Sequence, residues 1–569
     1  MLTFATHDGG IKPVEEVLFS TPFNYMFPEL AHSPACLLPA GQETVRGLVA
    51  LGDAMAADDP GTSEDLNSTI PSFFTYFGQF IDHDLTARTD RETFISEIFN
   101  ADGGPLAFAP RPPSEVVATL RNGRRPQLDL DSVYGDGPGL HPMAESNAEA
   151  LYDGAYKFKL QAMGKNGAGP YDLWRESFDA KPNPRTALIA DARNDENINI
   201  SQLHAAFLGL HNAIMDGIAA LDPVKDKATA YARARQMVRW VYQYLVVEHY
   251  LRTICMGSVL DDVLRNGPLF YGPVAGGEPL FMPLEFSVAG FRFGHSMIRG
   301  SYKLRGTDLE LLKLLGVARP DRPGNMQILV EVNGRHVLKP EFTVDWGHFV
   351  GKDAANKARK LDTLIAKGFG TLPMVPLPGT FMAHLAKRNL VRGYSLSIPT
   401  AQAVGSALGV KVLSAGDIRK SEKTEAIRKA LDDNGFAEKT PLWYYILREA
   451  DVIGEGNRLG VVGSRIVAET IVGLLKADPN SYIRQFGVAR NIQKGGIEVP
   501  LVGGRKRIGS IAGFLAAAGV YPGGLGELAD APERGGLCWN CDDDGKPAPG
   551  PEEAGPSRAR GGRRGRGRG

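Results

Sequence analysis

The stretch that decides the fold reads Phe77-Gly78-Gln79-Phe80-Ile81-Asp82-His83-Asp84. Its apolar residues recur at helical spacing, which predicts a helix over residues 66–88 with Pro71 in the first turn. On this helix Gln79, Asp82 and His83 stand at i, i+3 and i+4, so they share one face. Asp84 lies roughly 100° further round than His83, because an α-helix has ~3.6 residues per turn. We therefore expect Asp84 to serve a different site from His83.

Composition sets the broad class of the protein. The chain has 569 residues, of which 43% are apolar and 23% charged, with a net charge of −1. These values are typical of a globular protein and give no overall attraction to nucleic acid or membrane. The four cysteines are too few for a disulfide scaffold.

The first residues and the apolar runs predict the compartment. The N-terminus has no basic region followed by an apolar region, so we expect no signal peptide. No run approaches the ~20 apolar residues of a membrane helix. The default expectation is a soluble cytoplasmic protein, and export without a cleaved signal stays open.

Helical periodicity dominates the chain up to Tyr521. Besides the first helix, the pattern predicts helices over 197–260, 280–305, Phe381–Val391, Lys420–Leu431, Trp443–Ala450 and Ser464–Leu475. Strand signals are few. We therefore predict one mainly α domain over residues 1–521. Residues 522–569 are rich in Gly, Pro and acids and then in Arg and Gly, which predicts a disordered tail.

A histidine between two carboxylates is, by itself, more often an ion-paired core residue than a catalytic one. However, Gly78-Gln79 followed by Asp82-His83-Asp84 resembles the distal-side signature of the animal-type haem peroxidases, the superfamily of myeloperoxidase and the cyclooxygenases. The resemblance implies the helical fold of that family, with few short strands, and haem b as cofactor. It also implies that His83 is the distal catalytic residue and that Gln79 positions a distal water or anion.

A second motif reads Gln127-Leu128-Asp129-Leu130-Asp131-Ser132-Val133-Tyr134-Gly135. Its alternation predicts that Asp129 and Asp131 lie on one side of an extended loop. With Asp84 they would offer three carboxylates, and Ca²⁺ prefers several such oxygens. The spacing alone also fits a solvated turn.

Resemblance favours the calcium interpretation of this motif. The segment is similar to the family's calcium loop, which ends in Val-Tyr-Gly. The similarity implies side-chain ligands from Asp84, Asp129 and Asp131 and a carbonyl ligand from Gln127. Arg125 stands where the family often has a threonine, so it can offer only its carbonyl.

The third element contains Arg193 and Glu196, three residues apart. Spacing alone fits a surface ion pair near a helix N-terminus. The element resembles the family's Arg-x-x-Glu, which implies that Arg193 is the distal catalytic arginine and that Glu196 faces the haem. In myeloperoxidase-like members the equivalents of Asp82 and Glu196 form ester bonds to the haem. Asn197 replaces the methionine that forms a further bond in myeloperoxidase, and His204 and His211 are interpreted as scaffold.

The fourth element, Phe291-Arg292-Phe293-Gly294-His295-Ser296-Met297-Ile298, resembles the family's proximal helix. The resemblance implies that His295 is the haem iron ligand. Asn389 then accepts the second N–H of this ring through its amide oxygen, because ligating imidazoles are normally fixed in this way. Arg292 and Arg392 are expected to face the haem propionates.

These elements imply a peroxidase that uses hydrogen peroxide to oxidise small organic or halide donors. The alternative within the superfamily is a fatty-acid dioxygenase. Such members carry a radical-forming tyrosine three residues before the proximal histidine, where this chain has Arg292. The sequence therefore favours peroxidase chemistry.

The tail offers a non-enzymatic alternative. Cys538-Trp539-Asn540-Cys541 has no second ligand pair nearby, so we do not expect a structural zinc site. Six arginines lie between Arg558 and Arg568, interleaved with glycine, and such segments bind nucleic acid through phosphates. The chain could thus be a nucleic-acid-associated haem protein, although an uninvolved extension is the preferred interpretation.

Overall fold

The structure is a computed structural model in which the described residues are 3–5, 11–13, 21–56, 66–87, 108–135, 137–138, 151–154, 156–162, 169, 171–175, 187–224, 226–271, 280–314, 328–370, 372, 383–420, 424–486 and 495–523. The predicted tail therefore lies outside the described residues, apart from positions 522 and 523. The cysteine pair and the arginine-glycine run of that tail fall in this part of the chain.

Helices dominate the described residues, as predicted. In chain order they are α1 (Pro28–Ala31), α2 (Gln42–Met55), α3 (Phe73–Leu85), α4 (Pro113–Thr119), α5 (Asp131–Tyr134), α6 (Ile198–Leu221), α7 (Lys227–Leu245), α8 (Arg252–Ile254), α9 (Gly257–Asn266), α10 (Leu311–Leu314), α11 (Leu385–Ser395), α12 (Ala401–Ala407), α13 (Ala415–Lys420), α14 (Glu425–Asn434), α15 (Leu442–Val452), α16 (Val461–Ala477), α17 (Tyr482–Phe486) and α18 (Ile511–Ala517). Short 3₁₀ turns cover Pro34–Cys36, Ala192–Asp195, Arg292–His295, Pro340–Phe342, Trp346–His348 and Lys367–Gly370, and π-helical turns cover Val246–Leu251 and Glu285–Gly290.

The strands are short and pair locally. They are β1 (Thr3–Ala5), β2 (Ile11–Pro13), β3 (Thr21–Asn24), β4 (Asn67–Pro71), β5 (Arg121–Asn122), β6 (Gln161–Ala162), β7 (Tyr171–Asp172), β8 (Met282–Pro283), β9 (Ser301–Lys303), β10 (Asp308–Glu310), β11 (Leu329–Val332), β12 (Arg335–Leu338), β13 (Lys357–Arg359), β14 (Ile497–Leu501) and β15 (Gly504–Ile508). One sheet has three strands in the order β5-β3-β8, and every other sheet is a pair. Pairing is antiparallel except between β3 and β8.

Aromatic packing holds α3 in the centre of the core. Phe80 stacks on Phe207 of α6, with ring centroids 4.7 Å apart and planes 8° apart. Phe77 and Phe80 both pack edge-on against Tyr242 of α7 at 6.0 Å. These rings are almost fully buried. The helix that carries the motif is therefore fixed on its apolar side, and its polar side is left for chemistry.

Two predicted helices differ most from the structure. The first helix begins at Phe73, because residues 67–71 form β4, which pairs with β13 and places Pro71 opposite Lys357. The predicted helix over 280–305 is instead a strand, a π turn and a 3₁₀ turn, followed by β9. Both differences come from long-range pairing and from irregular turns, which helical periodicity does not report.

None of the helices in the described ranges combines the length and the apolarity that spanning a bilayer requires.

Gly78 allows α3 to approach Tyr250 closely. A Cβ at position 78 would lie 2.5 Å from the Tyr250 hydroxyl oxygen and 3.1 Å from its ring. Tyr250 is buried and cannot move aside easily. We expect Gly78→Ala to destabilise the protein by about 1–3 kcal/mol, since overpacking outweighs the gain in helix propensity. Thermal unfolding of the full chain measures this.

Gly393→Ala is the matched control for this prediction. Gly393 also lies within a helix, α11, but a Cβ there meets nothing within 4 Å. It should be neutral or stabilise by up to about 1 kcal/mol. Equal unfolding temperatures for the two variants would contradict the packing argument.

Candidate active site

The polar face of α3 meets the segment that precedes α6. His83 is buried, and its Nδ1 lies 2.8 Å from Oδ1 of Asn194. Its other ring nitrogen, Nε2, lies 3.6 Å from Oε1 of Glu196. The structure thus brings together His83 and Glu196, which are far apart in the sequence, as predicted.

Asn194 links His83 to a second histidine and thereby orients both rings. The Nδ2 atom of Asn194 lies 2.9 Å from Nδ1 of His204. Burial lowers the pKa of His204 to about 3, so this ring is neutral and accepts the amide proton at Nδ1. The amide oxygen of Asn194 then faces His83 and accepts the proton on its Nδ1. Nε2 of a neutral His83 consequently carries the lone pair on the side of Glu196.

We expect Asn194→Leu to slow the reaction with peroxide by about tenfold or more, because His83 loses the partner that fixes its ring; comparable supporting hydrogen bonds to metal ligands contribute ~10- to 100-fold. Rapid-mixing kinetics on haem-loaded protein measure this rate. Asn212→Leu is the control, since within the described residues the Asn212 side chain bonds the backbone N–H and carbonyl of Phe158, each at 2.8 Å. Equal rates in the two variants would show that Asn194 is only structural.

Gln79 is held by the same group of side chains. Its Nε2 donates to Oε1 of Glu196, and its Oε1 accepts from Nδ2 of Asn197 at 3.2 Å. Asn197 also caps α6 through its contact with the Ile200 N–H. Both ends of the Gln79 amide are therefore engaged, and its orientation is set by α6.

Arg193 does not form the surface ion pair with Glu196 that spacing alone suggested. Its guanidinium binds the Asp191 carboxylate through Nε at 3.1 Å and Nη2 at 2.7 Å. It also donates to the backbone carbonyls of Thr86 at 2.7 Å and His83 at 2.8 Å. Although burial opposes ionisation, Arg193 and Arg124 hold the pKa of Asp191 well below its usual range. The structure thus places the guanidinium against the backbone of His83.

The predicted proximal pair is also together. Asn389 of α11 lies with its amide 2.8 Å from Nδ1 of His295. In this structure the Nδ2 atom of Asn389 faces the ring, whereas the sequence predicted the amide oxygen. An imidazole that binds iron through Nε2 carries its proton on Nδ1 and needs an acceptor there. Rotation of the amide by 180° provides it without moving either backbone.

Arg292 connects the proximal segment to α3. Its Nη1 lies 3.9 Å from Oδ2 of Asp82, and its Nε donates to the carbonyl of Ser287 at 2.8 Å. Its own carbonyl accepts from the Trp443 indole at 3.1 Å. Arg392 is buried and stands at i+3 from Asn389, on the same face of α11. The proximal segment and the polar face of α3 therefore adjoin each other.

The donor set of this region fits a haem. It contains an anchored imidazole at His295, a second imidazole of fixed orientation at His83, and the two buried arginines Arg292 and Arg392. Carboxylates at Asp82 and Glu196 retain 18% and 13% of their side-chain exposure. A haem needs an axial nitrogen and cations for its propionates, which these groups can supply.

A small cleft borders Asn389. It is lined mainly by apolar residues, together with Tyr394 and Trp443. Neither His83 nor His295 lines it, so it is not the region where the two histidine-bearing segments adjoin.

The second site lies on the other side of α3. Ligand oxygens of Asp84, Asp129 and Asp131 all lie within 4.8 Å of one another, and all three residues are buried. Burial and the charges of Asp131 and Asp129 raise the pKa of Asp84 well above its usual value. Burial likewise raises the pKa of Asp131 to about 6, against the pull of Arg124. Asp84 thus lies in a cluster of side chains separate from the contacts of His83.

The loop reaches this arrangement through strained backbone rather than extended alternation. Leu128 and Leu130 have φ values of 53° and 60°, and Asp131 begins α5. Left-handed conformations are uncommon for such residues and often mark ligand sites. Neither carboxylate oxygen of Asp131 has a hydrogen-bond partner among the described residues. Three buried carboxylates, one of which has no hydrogen bond to either oxygen within the described residues, fit a hard cation such as Ca²⁺.

The predicted carbonyl ligands lie just before this loop. The N–H of Gln127 donates to the Arg125 carbonyl at 2.8 Å, so that carbonyl is already engaged once. The Arg125 side chain is exposed. The three carboxylates therefore form the core of the candidate cation site, and Gln127 and Arg125 stay predictions.

Sequence reasoning missed Arg124, Asp191 and Asn194. Arg124 and Asp191 are 67 residues apart, so their pairing has no local signal. Asp191 stands two residues before Arg193, and an acid so near a candidate arginine could have been considered. His211 contacts Tyr134 and the Tyr156 carbonyl, as a scaffold residue would.

The chain is similar in sequence and fold to known proteins. Residues 117–314 match the family model described as animal haem peroxidase. Thyroid peroxidase of Mus musculus is 23% identical over 349 residues, which cover 53% of this chain and 36% of that protein. The chain thus spans about a third of the length of this curated relative.

Two solved structures were also compared with the chain. Peroxidase A of Dictyostelium discoideum aligns with a TM-score of 0.51 and 16% identity, over 82% of this chain and 89% of that one. It confirms the predicted helical fold class. A fatty acid alpha-dioxygenase of Oryza sativa aligns with a TM-score of 0.49 and 17% identity, over 80% of this chain and 74% of that one. The chain is therefore similar to the animal haem peroxidases over residues 117–314, and its relatives there include a thyroid peroxidase.

Proposed function

We propose that this protein is a haem-dependent peroxidase that uses hydrogen peroxide to oxidise small organic or halide donors. The observation that carries the proposal is the fixed imidazole of His83. Its Nδ1 donates a hydrogen bond to Asn194. Its Nε2 can therefore act as an acceptor, on the face of α3 that adjoins the His295 segment.

A bound haem would supply the iron-centred redox chemistry, and His295 would hold its iron. Nε2 of His83 takes the proton from one peroxide oxygen and returns it to the other oxygen, which leaves as water. Arg193 provides a fixed positive charge beside His83, which stabilises negative charge that develops as the O–O bond breaks.

The remaining predicted residues orient this pair. Gln79 and Glu196 hold each other and limit where a water or anion can lie near Nε2 of His83. Arg292 and Arg392 would hold the propionates, because an arginine side chain keeps its positive charge in proteins. Asn389 fixes the ring of His295 once its oxygen faces Nδ1.

Asp82 and Glu196 are proposed to form ester bonds to the haem, as in myeloperoxidase-like members. After treatment with peroxide, acid–organic extraction should then leave haem on the wild-type protein. Asp82→Asn with Glu196→Gln should release all of it, since amides cannot form these esters. Complete extraction from the wild type would show that both carboxylates only line the pocket.

The buried carboxylates Asp84, Asp129 and Asp131 are proposed to bind Ca²⁺. Each carboxylate is costly to bury while charged, and a divalent cation offsets that cost. Because Asp84 directly follows His83 on α3, the cation also fixes the end of the helix that carries the catalytic base.

A substrate panel tests the proposed activity. Haem-loaded protein is assayed with hydrogen peroxide and bromide, guaiacol or linoleate. Oxidation of bromide or guaiacol supports a peroxidase. If the protein oxygenates linoleate and oxidises neither bromide nor guaiacol, the peroxidase proposal is wrong. The dioxygenase alternative then holds, although Arg292 stands at the position of the radical tyrosine.

A further inference from the structure

Arg124 joins the carboxylate cluster to the distal arginine. Its Nη1 lies 3.3 Å from Oδ1 of Asp131, and its Nη2 donates to Oδ2 of Asp191. Its side chain is 14% exposed, so both contacts lie in a largely desolvated setting. A single guanidinium therefore neutralises part of the cation site and part of the group that holds Arg193.

Asp191 is shared between two arginines. The oxygen that accepts from Arg124, Oδ2, also accepts from Nη2 of Arg193 at 2.7 Å and from its Nε at 3.2 Å. Oδ1 accepts from the backbone N–H and Nε of Arg193 at 3.0 and 3.1 Å. If Arg124 binds Asp191 more tightly, Arg193 must bind Asp191 less tightly, because both guanidinium groups compete for Oδ2 of Asp191.

The Asp131 end of this chain of contacts is incomplete. The contact from Arg124 is an ion pair, but neither Asp131 oxygen accepts a hydrogen bond within the described residues. A cation placed among Asp84, Asp129 and Asp131 would repel Arg124 and compete with it for Asp131. Arg124 would then turn towards Asp191.

We propose that Arg124 is a positioning residue that couples cation binding at Asp84, Asp129 and Asp131 to the placement of Arg193, through Asp191. The inference rests on the proposed calcium site and on the proposed role of Arg193. Cation binding shifts Arg124 from Asp131 towards Asp191. This loosens the Asp191–Arg193 contacts and leaves the Arg193 guanidinium more available beside His83.

Calcium affinity gives a direct readout of Arg124 that does not depend on turnover. Haem-loaded full-length protein, stripped with chelator, is titrated with CaCl₂ by calorimetry. Arg124→Met should tighten calcium binding by about tenfold or more, because a neighbouring positive charge is removed. A residue that only supported the loop would have the opposite effect, so weaker binding would overturn the proposal.

A double-mutant cycle tests the coupling itself. Arg193→Lys keeps the charge but loses the forked contact with Asp191. Asp191 then binds Arg193 less tightly and can bind Arg124 more tightly. Arg124 in turn leaves Asp131, whose carboxylate can bind the cation. Coupling is reciprocal, so calcium should bind about fivefold tighter or more. In an Arg124→Lys background, where one ammonium cannot bridge both carboxylates, Arg193→Lys should change the affinity less than about twofold.

Each outcome has a separate meaning. Equal shifts from Arg193→Lys in both backgrounds, or no shift in either, overturn the coupling while the calcium site stands. No calcium binding by the wild type overturns the site and the coupling together, whereas peroxidase turnover is judged by the substrate panel. If Arg124→Lys does not fold, as judged by circular dichroism, Asp191→Asn serves as the second background, with the same expectation.

Discussion

His83→Ala should retain haem but react with hydrogen peroxide about 10²- to 10⁴-fold more slowly, the usual contribution of general acid–base catalysis. The reason is positional. Because Nδ1 of His83 bonds Asn194, Nε2 is the ring nitrogen that can accept a proton from peroxide. Asn194 and His204 cannot replace it, because both are buried on the Nδ1 side of the ring. Rapid-mixing absorbance at several peroxide concentrations measures the rate constant.

The control for this variant is His249→Ala, because Nε2 of His249 lies 2.9 Å from the Gly509 carbonyl oxygen. Equal haem content in both proteins shows that the difference in rate does not come from cofactor loss. If His83→Ala reacts with peroxide as fast as His249→Ala, the distal assignment is wrong.

His295→Ala should lower haem affinity by about 100-fold or more. Partners that merely support a metal ligand contribute ~10- to 100-fold, so loss of the ligand itself should exceed this range. The apo-protein is titrated with haem while the Soret band is followed. Added imidazole should restore the band in the variant, because it can enter the space of the missing ring and bind iron.

His348→Ala is the matched control for this titration, because His348 is also a half-buried histidine in a 3₁₀ turn. It should keep the wild-type affinity. An unchanged Soret band in His295→Ala without imidazole would remove the proximal assignment and would leave His83 as the remaining candidate ligand.

The positions of Asp84 and His83 could be predicted because helical geometry is local. Once α3 is recognised, the turn of roughly 100° between successive residues sends the two side chains to different sites. The structure confirms this, with His83 on Asn194 and Asp84 beside Asp129 and Asp131. The grouping of these three carboxylates was likewise foreseen, although their backbone was not.

The contacts of Arg193 could not be predicted in the same way. The Arg124–Asp191 pair depends on how two distant loops pack. The start of α3 was misplaced because β13 pairs with residues 67–71, some 290 positions away. The irregular turns around His295 follow no single period, so periodicity predicted a regular helix there. Tertiary contacts decided each of these features.

Arg193 has a second role that affects how its mutants are interpreted. It donates to the carbonyls of His83 and Thr86, at the C-terminal end of α3 where carbonyls lack partners within the helix. Its positive charge also lies at the negative end of the helix dipole, which is worth about 0.3–1 kcal/mol and up to ~2 kcal/mol in partly buried settings. Removal of Arg193 therefore frays the helix end that carries His83. Rates measured on such variants must be compared per folded, haem-containing molecule before any loss is assigned to the chemical step.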